Sequence, residues 1–482
     1  MRKRVFPRLL ATVTVAGLGG LGLAAVSAPA ASAASPAKPY DFNGDGYRDL
    51  AIGSPNGKVS GKAGAGFVTV TYGSRGGLNT GKRQVLTQDT KGVPGAAEAG
   101  DHFGYAVTSA DFNRDGRADL VVSSPDEDTS KKNVGGFTVF YGTKSGLSTR
   151  AYSTGVEGSS ANERVGLSLT AGDFNHGGHA DFAYSGTYGW GWFAFETGAR
   201  PAQVVQHRLS VPGAQAAAAT PVTAAVYSGD VLGLGYPQVV LAWRDPKSAQ
   251  YRNDVSIWAA KDSHGLIIKS HVSAEIGPIA VGDFNGDRHA DVAIGQPGDG
   301  GHAGGRVTVF AGSANGVSPL AQTSFTQNTA GVPGASTAGN RFGADLSVGD
   351  VNKDGKVDLA VGAPGVKVGS AAGAGGAYVL FGRANGLTGT GAQWLSQDTA
   401  GVPGSAERGD AFGAQVALLD HNRDGRADLT IGAPGENRGD GSVTLIKGRA
   451  SGVVPIAGAF AFGPGTFKVG GKGAQLGLRL GD

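Results

Sequence analysis

The chain has 482 residues, a formal charge of +3, 40% hydrophobic residues, 85 glycines and no cysteine. That length allows two or three ordinary domains or one large fold, and the missing thiols exclude disulfides, thiolate metal sites and cysteine nucleophiles. Glycine this abundant without a three-residue period is not collagen, and the recurring apolar triplets argue for a core instead of a disordered linker.

Residues 1–34 read as a secretory signal peptide. Arg2, Lys3, Arg4 and Arg8 precede an apolar stretch from Leu9 to Val26, and the small residues from Ala28 to Ala34 allow cleavage after Ala33 or Ala34. A membrane anchor is the competing reading; the glycines of the tract and the lack of a stop-transfer flank weigh against it. With no consecutive arginine pair, a general export route fits better than a twin-arginine one. Losing the four basic residues takes the formal charge from +3 to −1, so the basic balance does not point to nucleic acid. Residues 35–482 are expected to form one secreted, extracellular, monomeric domain with no transmembrane segment.

One unit recurs along the rest of the chain. It reads Asp-x-Asn-x-Asp-Gly-x-x-Asp-Leu, then a short β-branched run, then Gly-x-Pro. Its first aspartates are Asp41, Asp111, Asp173, Asp283, Asp350 and Asp420, with a worn copy at Asp230; the spacings run from 53 to 70 residues. Each copy divides into four short strands. An alternating run such as Phe342 to Asp350 leads into the acidic loop, and Asp358 to Pro364 is a buried-looking strand stopped by glycine and proline. A third follows in Gly66 to Tyr72, Gly136 to Tyr141, Gly305 to Phe310 and Gly376 to Phe381, and a fourth in segments such as Gln393 to Gln397. No stretch after the leader sustains a 3.6-residue period, so the fold class is all-β.

Four-stranded sheets repeated about seven times bury both faces by stacking radially, which predicts a seven-bladed β-propeller. The first acidic loop, at Asp41, has no strand ahead of it, whereas Leu478 to Asp482 matches the first strand Leu346 to Asp350. The C-terminal strand is therefore expected to complete the first blade and close the ring, removing a free edge.

The acidic loops place oxygens at positions 1, 3, 5 and 9, a backbone carbonyl at 7 and glycine at 6. Hard oxygen ligands at that density suit Ca2+. The complete sets are Asp41, Asn43, Asp45, Tyr47 and Asp49; Asp111, Asn113, Asp115, Arg117 and Asp119; Asp350, Asn352, Asp354, Lys356 and Asp358; and Asp420, Asn422, Asp424, Arg426 and Asp428, with position 7 contributing its carbonyl. A fifth, Asp283, Asn285, Asp287, His289 and Asp291, has Arg288 in place of the glycine, which predicts a strained turn. About five structural Ca2+ sites follow. At Asp173 the fifth position is Gly177, leaving Asp173, Asn175 and Asp181, so occupancy there is doubtful; the Asp230 copy has Leu232, Leu234 and Gln238 and is expected to be empty. The bland alternative is a set of Asx turns capping hairpins. Helix-flanked calcium loops are excluded, since a strand follows each loop and position 12 holds Ile52, Val122, Ile294, Val361 or Ile431.

Phe103-Gly104 ahead of the first strand, with Gly362-Ala-Pro364 or Gly432-Ala-Pro434 after the second, resembles the FG-GAP repeat of the integrin α-subunit N-terminal propeller. The resemblance spans roughly residues 38–482. It implies a seven-bladed propeller with calcium in the hairpin loops of one face. Tyr184-Ser-Gly186 and Leu241-Ala-Trp243 depart from it in the third and fourth copies, and integrin signalling and a partner subunit are not implied.

Strand alternation puts the acidic hairpins on the face opposite the blade-to-blade loops, which repeat as Gln88–Asp101, Gln327–Asn340 and Gln397–Asp410. These read as turns with hydrogen-bonded polar ends. Tyr188, Trp190 and Trp192 form an aromatic patch that could stack a sugar ring or else fill space between blades. The expected function is an extracellular binding or adhesion module for a glycan or protein ligand. The alternative is a polysaccharide lyase or hydrolase on a propeller, although no nucleophile elbow, His-Glu-x-x-His or phosphate loop occurs.

Overall fold

The computed structural model describes residues 35–481 except 130, 157–159, 197–199, 209–222, 245–252, 263–264, 274–276, 299–302 and 450–457; the leader at 1–34 lies outside the described residues. Seven four-stranded antiparallel sheets follow one another along the chain, as the repeat predicts. Blades two to seven begin at Val107, Ser168, Thr223, Ile279, Leu346 and Gln415, each running in sequence order from its inner strand outward. Only two four-residue helical turns, Glu436–Gly439 and Pro464–Phe467, interrupt the β structure among the described residues.

The first blade has its second to fourth strands at Leu50–Ser54, Phe67–Tyr72 and Asn79–Leu86. Its inner strand is Arg479–Leu480, with Ile52 opposite Leu480 and Gly53 opposite Arg479, and Gly481 N donates to Ala51 O at 2.9 Å. The predicted closure is therefore present. It rests on only two residue pairs.

Burial follows the radial logic. The second strand of each blade is buried end to end in blades one, two, three, five, six and seven, because one sheet face meets each neighbouring blade. The hydrophobic side chains gather between blades, not within them. Ala360, Val379, Val416 and Ile431 join blades six and seven, and Ile52, Leu480, Ala417 and Leu445 join blades seven and one. The inner strands surround a central channel of about 400 Å³ lined by Arg48, Ser109, Thr170, Tyr227, Ala280 and Ser347 among others.

The two halves of the recurring motif meet at the seams. A Cβ built on Gly53, Gly295, Gly362 or Gly432 would stand 2.0–2.1 Å from the carbonyl oxygen of Gly104, Gly343, Gly413 or Gly477 on the next blade. Only a hydrogen side chain permits that approach. Beside it, Phe103, Phe342 and Phe412 are fully buried, and Phe342 and Phe412 form parallel bridges to Gly305 and Gly375. Leu476 and Val165 take the phenylalanine place at two other seams, bridging Gly441 and Gly135.

Gly362 has no left-handed φ, so a methyl there acts by crowding alone. Gly362→Ala should cost about 1–3 kcal/mol, the range for overpacking, read from urea unfolding; an unchanged midpoint would contradict the backbone contact.

Candidate functional site

The acidic loops lead into the second strand of each blade, from the inner strand in blades two to seven, and all lie on one face. Their local shape is set by hydrogen bonds from the loop's own amides. In the first copy Asp41 accepts from Asp45 N at 3.0 Å and Gly46 N at 2.9 Å, Asn43 Oδ1 accepts from Asp45 N, and Asp45 Oδ1 accepts from Tyr47 N, the last two at 3.0 Å. Copies two, six and seven repeat the pattern, with Asp115 and Gly116 on Asp111, Asp354 and Gly355 on Asp350, and Asp424 and Gly425 on Asp420. The third loop keeps it on Asp173, where Gly177 stands in the carboxylate's place. Even the worn fourth loop does so, with Leu234 N and Gly235 N donating to Asp230. The loop shape thus forms without the full set of carboxylates.

Two positions in every loop have positive φ. Position 6 is glycine in six loops; in the fifth it is Arg288, at φ 74°. The expectation of a strained turn is met there. Position 4, which sequence patterning did not single out, is equally left-handed: Gly44, Arg114, His176, Gly233, Gly286, Lys353 and Arg423 have φ between 56° and 79° in this turn. The cations at this position reach across seams. Lys353 Nζ donates to Asp424 O at 2.8 Å and Arg423 to Asp45 O at 3.2 Å.

Position 9 ties the loop to the hairpin between strands three and four. Asp49 accepts from Phe42 N at 2.9 Å and Gly73 N at 2.8 Å; Asp119, Asp291 and Asp358 pair in the same way with Gly142, Gly312 and Gly382. Those glycines were not identified from sequence, although each follows an apolar or aromatic third strand. A Cβ on any of them would come within 2.6 Å of the position-8 carbonyl, at Arg48, Ala118, Ala290 or Val357.

The position-1 carbonyl supplies a further seam. Asp41 O accepts from Ala118 N, Asp230 O from Ala290 N and Asp350 O from Ala427 N, each at 2.8 Å; Asp283 O accepts from Val357 N at 3.3 Å and Asp420 O from Arg48 N at 3.4 Å. Between blades three and four the donor place is Pro237, which has no N–H. There His176 stacks on Tyr236, ring centroids 4.5 Å apart. His421 belongs to the closing seam: it is fully buried and its Nδ1 lies 2.8 Å from Arg48 O. Burial pushes it down to about 4.

The electrostatics of the loops are one-sided. Burial lifts Asp49 and Asp181 to about 8, Asp358 and Asp428 to about 7 and Asp291 to about 6, and Asp119 well above the usual range; neighbouring loop aspartates push in the same direction. Among the described residues no three carboxylates or imidazoles converge as a ligand cluster of their own. The donor chemistry nonetheless fits a hard cation. Two amide hydrogens leave an ionised aspartate with spare lone pairs, and Asp428 Oδ2 is buried with no hydrogen-bond partner. Asp41, Asn43, Asp45, Asp49 and the Tyr47 carbonyl, with their counterparts, are the groups that would hold it.

Of the two readings of the aromatic patch, the tryptophans follow the one that fills space between blades. Trp190 and Trp192 have no exposed surface and pack with Ala183, Val226, Val239 and Leu241 between blades three and four, so neither offers a face to a sugar. Trp190 lies edge-on to Trp258 at 5.0 Å; of the three, only Tyr188, half-buried at the turn, reaches the surface. The blade-to-blade loops do have hydrogen-bonded polar ends. Asp101 accepts from Glu98 N and Asp410 from Glu407 N, both at 2.6 Å, and Asn340 donates to Gln327 at 2.9 Å.

Five segments, residues 25–71, 103–140, 279–310, 342–380 and 412–446, match the FG-GAP repeat family. Phosphatidylinositol-glycan-specific phospholipase D of Mus musculus is 33% identical over 156 residues, which is 32% of this chain and 17% of that protein. Integrin alpha-7 of Mus musculus is 36% identical over 114 residues, 23% of this chain and 9% of that protein. The chain thus spans less than a fifth of either relative's length. A lectin of Agrocybe aegerita, described as recognising non-reducing terminal N-acetylglucosamine, aligns over 90% of this chain and 94% of its own at 14% identity and a TM-score of 0.48, too loose to bear on ligand.

Relief of the left-handed arginine is measurable. A non-glycine residue in that region costs about 1–2 kcal/mol, so Arg288→Gly should raise stability by about 1 kcal/mol in chelator-treated protein. A lower urea midpoint would contradict the strain.

Proposed function

From a chain that carries five FG-GAP repeats on a closed seven-bladed ring, we propose a secreted binding or adhesion module whose acidic loops hold structural Ca2+. The observation that carries the calcium reading is the buried Asp428 Oδ2 without a partner, in a loop whose amide-to-aspartate turn recurs in the other acidic copies. Bound calcium would supply the positive charge that these carboxylates lack. Loops bind it on one face, leaving the opposite face and its rigidly tied blade-to-blade loops to take an extracellular glycan or protein. Loops held on a rigid scaffold are where such recognition concentrates. No helix among the described residues is long and apolar enough to cross a membrane.

Secreted calcium modules bind at roughly 10⁻⁴–10⁻³ M, so millimolar Ca2+ should raise the thermal midpoint by several degrees over chelator, through mass action on the folded state. Equal midpoints would remove the metal from the proposal. Retention on immobilised polysaccharides and matrix proteins, saturable and without product, tests the binding half.

The pH dependence has a definite sign. The position-9 aspartates have folded values of about 6–8 against an ordinary 3.8, so their contribution is fully present below 3.8 and is lost as pH rises through 6–8. His421 acts oppositely, losing stability as pH falls from 6.5 through about 4. Between pH 6.5 and 8, chelator-treated protein should therefore lose thermal stability while the calcium form holds steady, widening the gap between them.

A further inference from the structure

Three seams carry the same blade-to-blade loop, on the face away from the acidic hairpins, and the chain therefore contains its own comparison. Each loop opens with a glutamine that is more than nine-tenths buried: Gln88, Gln327 and Gln397 are 5%, 2% and 4% exposed. At the middle seam that amide is fully partnered. Gln327 Nε2 donates to the Tyr378 hydroxyl at 2.7 Å, and its Oε1 accepts from Asn340 Nδ2 at 2.9 Å.

Around the glutamine the other two copies differ at three places, one of them the Tyr378 position, which is Thr138 and Thr444 there. Asp101 and Asp410 stand where the middle copy has Asn340, and Glu127 and Glu436 stand where it has Val366. Glu127 and Glu436 accept from Gln88 Nε2 and Gln397 Nε2 at 2.5 and 2.6 Å. An ionised carboxylate can only accept, so this bond fixes which way each amide faces. The residue that supplies the donor to Gln327 is here an aspartate, and both Gln88 Oε1 and Gln397 Oε1 are buried with no hydrogen-bond partner. A buried acceptor left without a donor carries its full desolvation cost.

Charge points the same way. Burial lifts Glu127 to about 7 and also raises Glu436, with Asp101 and Glu98 adding to the first and Asp410 and Glu407 to the second. Next to Gln88 and Glu127 a cavity of about 190 Å³ opens, walled by Pro94, Gly95, Thr138 and Ser153. A water occupies about 30 Å³, so the space suits an organic head group.

We propose that the seams between blades one and two and between blades six and seven each bind a primary ammonium group, its three N–H donors matched to the glutamine Oε1 and the two carboxylates. The site requires a carboxylate pair plus an unpaired amide oxygen, and the middle seam shows the same fold with that requirement removed. The source of the ammonium is a free alkylamine or a lysine side chain of a polypeptide.

The middle seam also provides the variants. Asp101→Asn with Glu127→Val, and Asp410→Asn with Glu436→Val, install residues this loop already carries at Asn340 and Val366. Calcium-treated full-length protein is titrated with n-butylammonium chloride at constant ionic strength, followed by calorimetry and by the glutamine side-chain amide resonances. The wild type should take up two per chain, each double variant one, and the fourfold variant none, with affinity at the altered seam at least tenfold weaker. A capped Gly-Lys-Gly peptide run in parallel separates the sources: uptake of both indicates a lysine partner, and uptake of the amine alone a small ligand. Three results would overturn the proposal: no saturable uptake of either probe, equal uptake by a fourfold variant whose thermal midpoint shows it folded, or displacement of the amine by equimolar calcium.

Discussion

The seams rest on a contact between two backbones. A glycine that ends the second strand of one blade lies against the carbonyl of a glycine entering the next, at Gly53, Gly295, Gly362 and Gly432. Nothing but hydrogen fits in that space, so the contact sets how closely sheets approach and leaves the apolar side chains of both faces to close over it. The clusters around Val379 and Val416, or Ile52 and Leu445, are consequences of that spacing. So is the alignment that lets Asp41 O meet Ala118 N across the seam.

Architecture was legible from sequence because the unit repeats: one loop pattern in seven places fixes strand order, blade number and the partner of Leu480 together. The loop side chains were legible for the same reason. Hidden were features that a repeat shows only in three dimensions. The left-handed position 4 is occupied by Arg114, His176, Lys353 and Arg423 as well as glycine, so composition conceals it. Gly73, Gly142, Gly312 and Gly382 recur in plain view, but their role depends on a carbonyl at the start of the neighbouring strand. For Trp190 and Trp192 the sequence left a sugar platform and interblade filling both open, because both faces of a propeller sheet are buried and alternation along a strand no longer separates inside from outside.

Where the motif is worn, other contacts stand in for it. Between blades three and four Pro237 removes an amide donor and the loops lose carboxylates, yet His176 and Tyr236 stack across the gap and Trp190 meets Trp258 behind them. The fourth loop keeps the same turn around Asp230 with Leu232 and Leu234 at ligand places. The turn is therefore a property of the backbone and its first aspartate, and a metal ion would find the cradle already shaped.

The two-pair strand at Arg479–Leu480 has a consequence for biosynthesis. Until those residues emerge from the ribosome, the first blade lacks its axial strand and the seventh lacks a neighbour, so the nascent chain holds two open edges throughout translation. Closure of the ring therefore waits on residues that follow all the other strands of the seven blades in chain order.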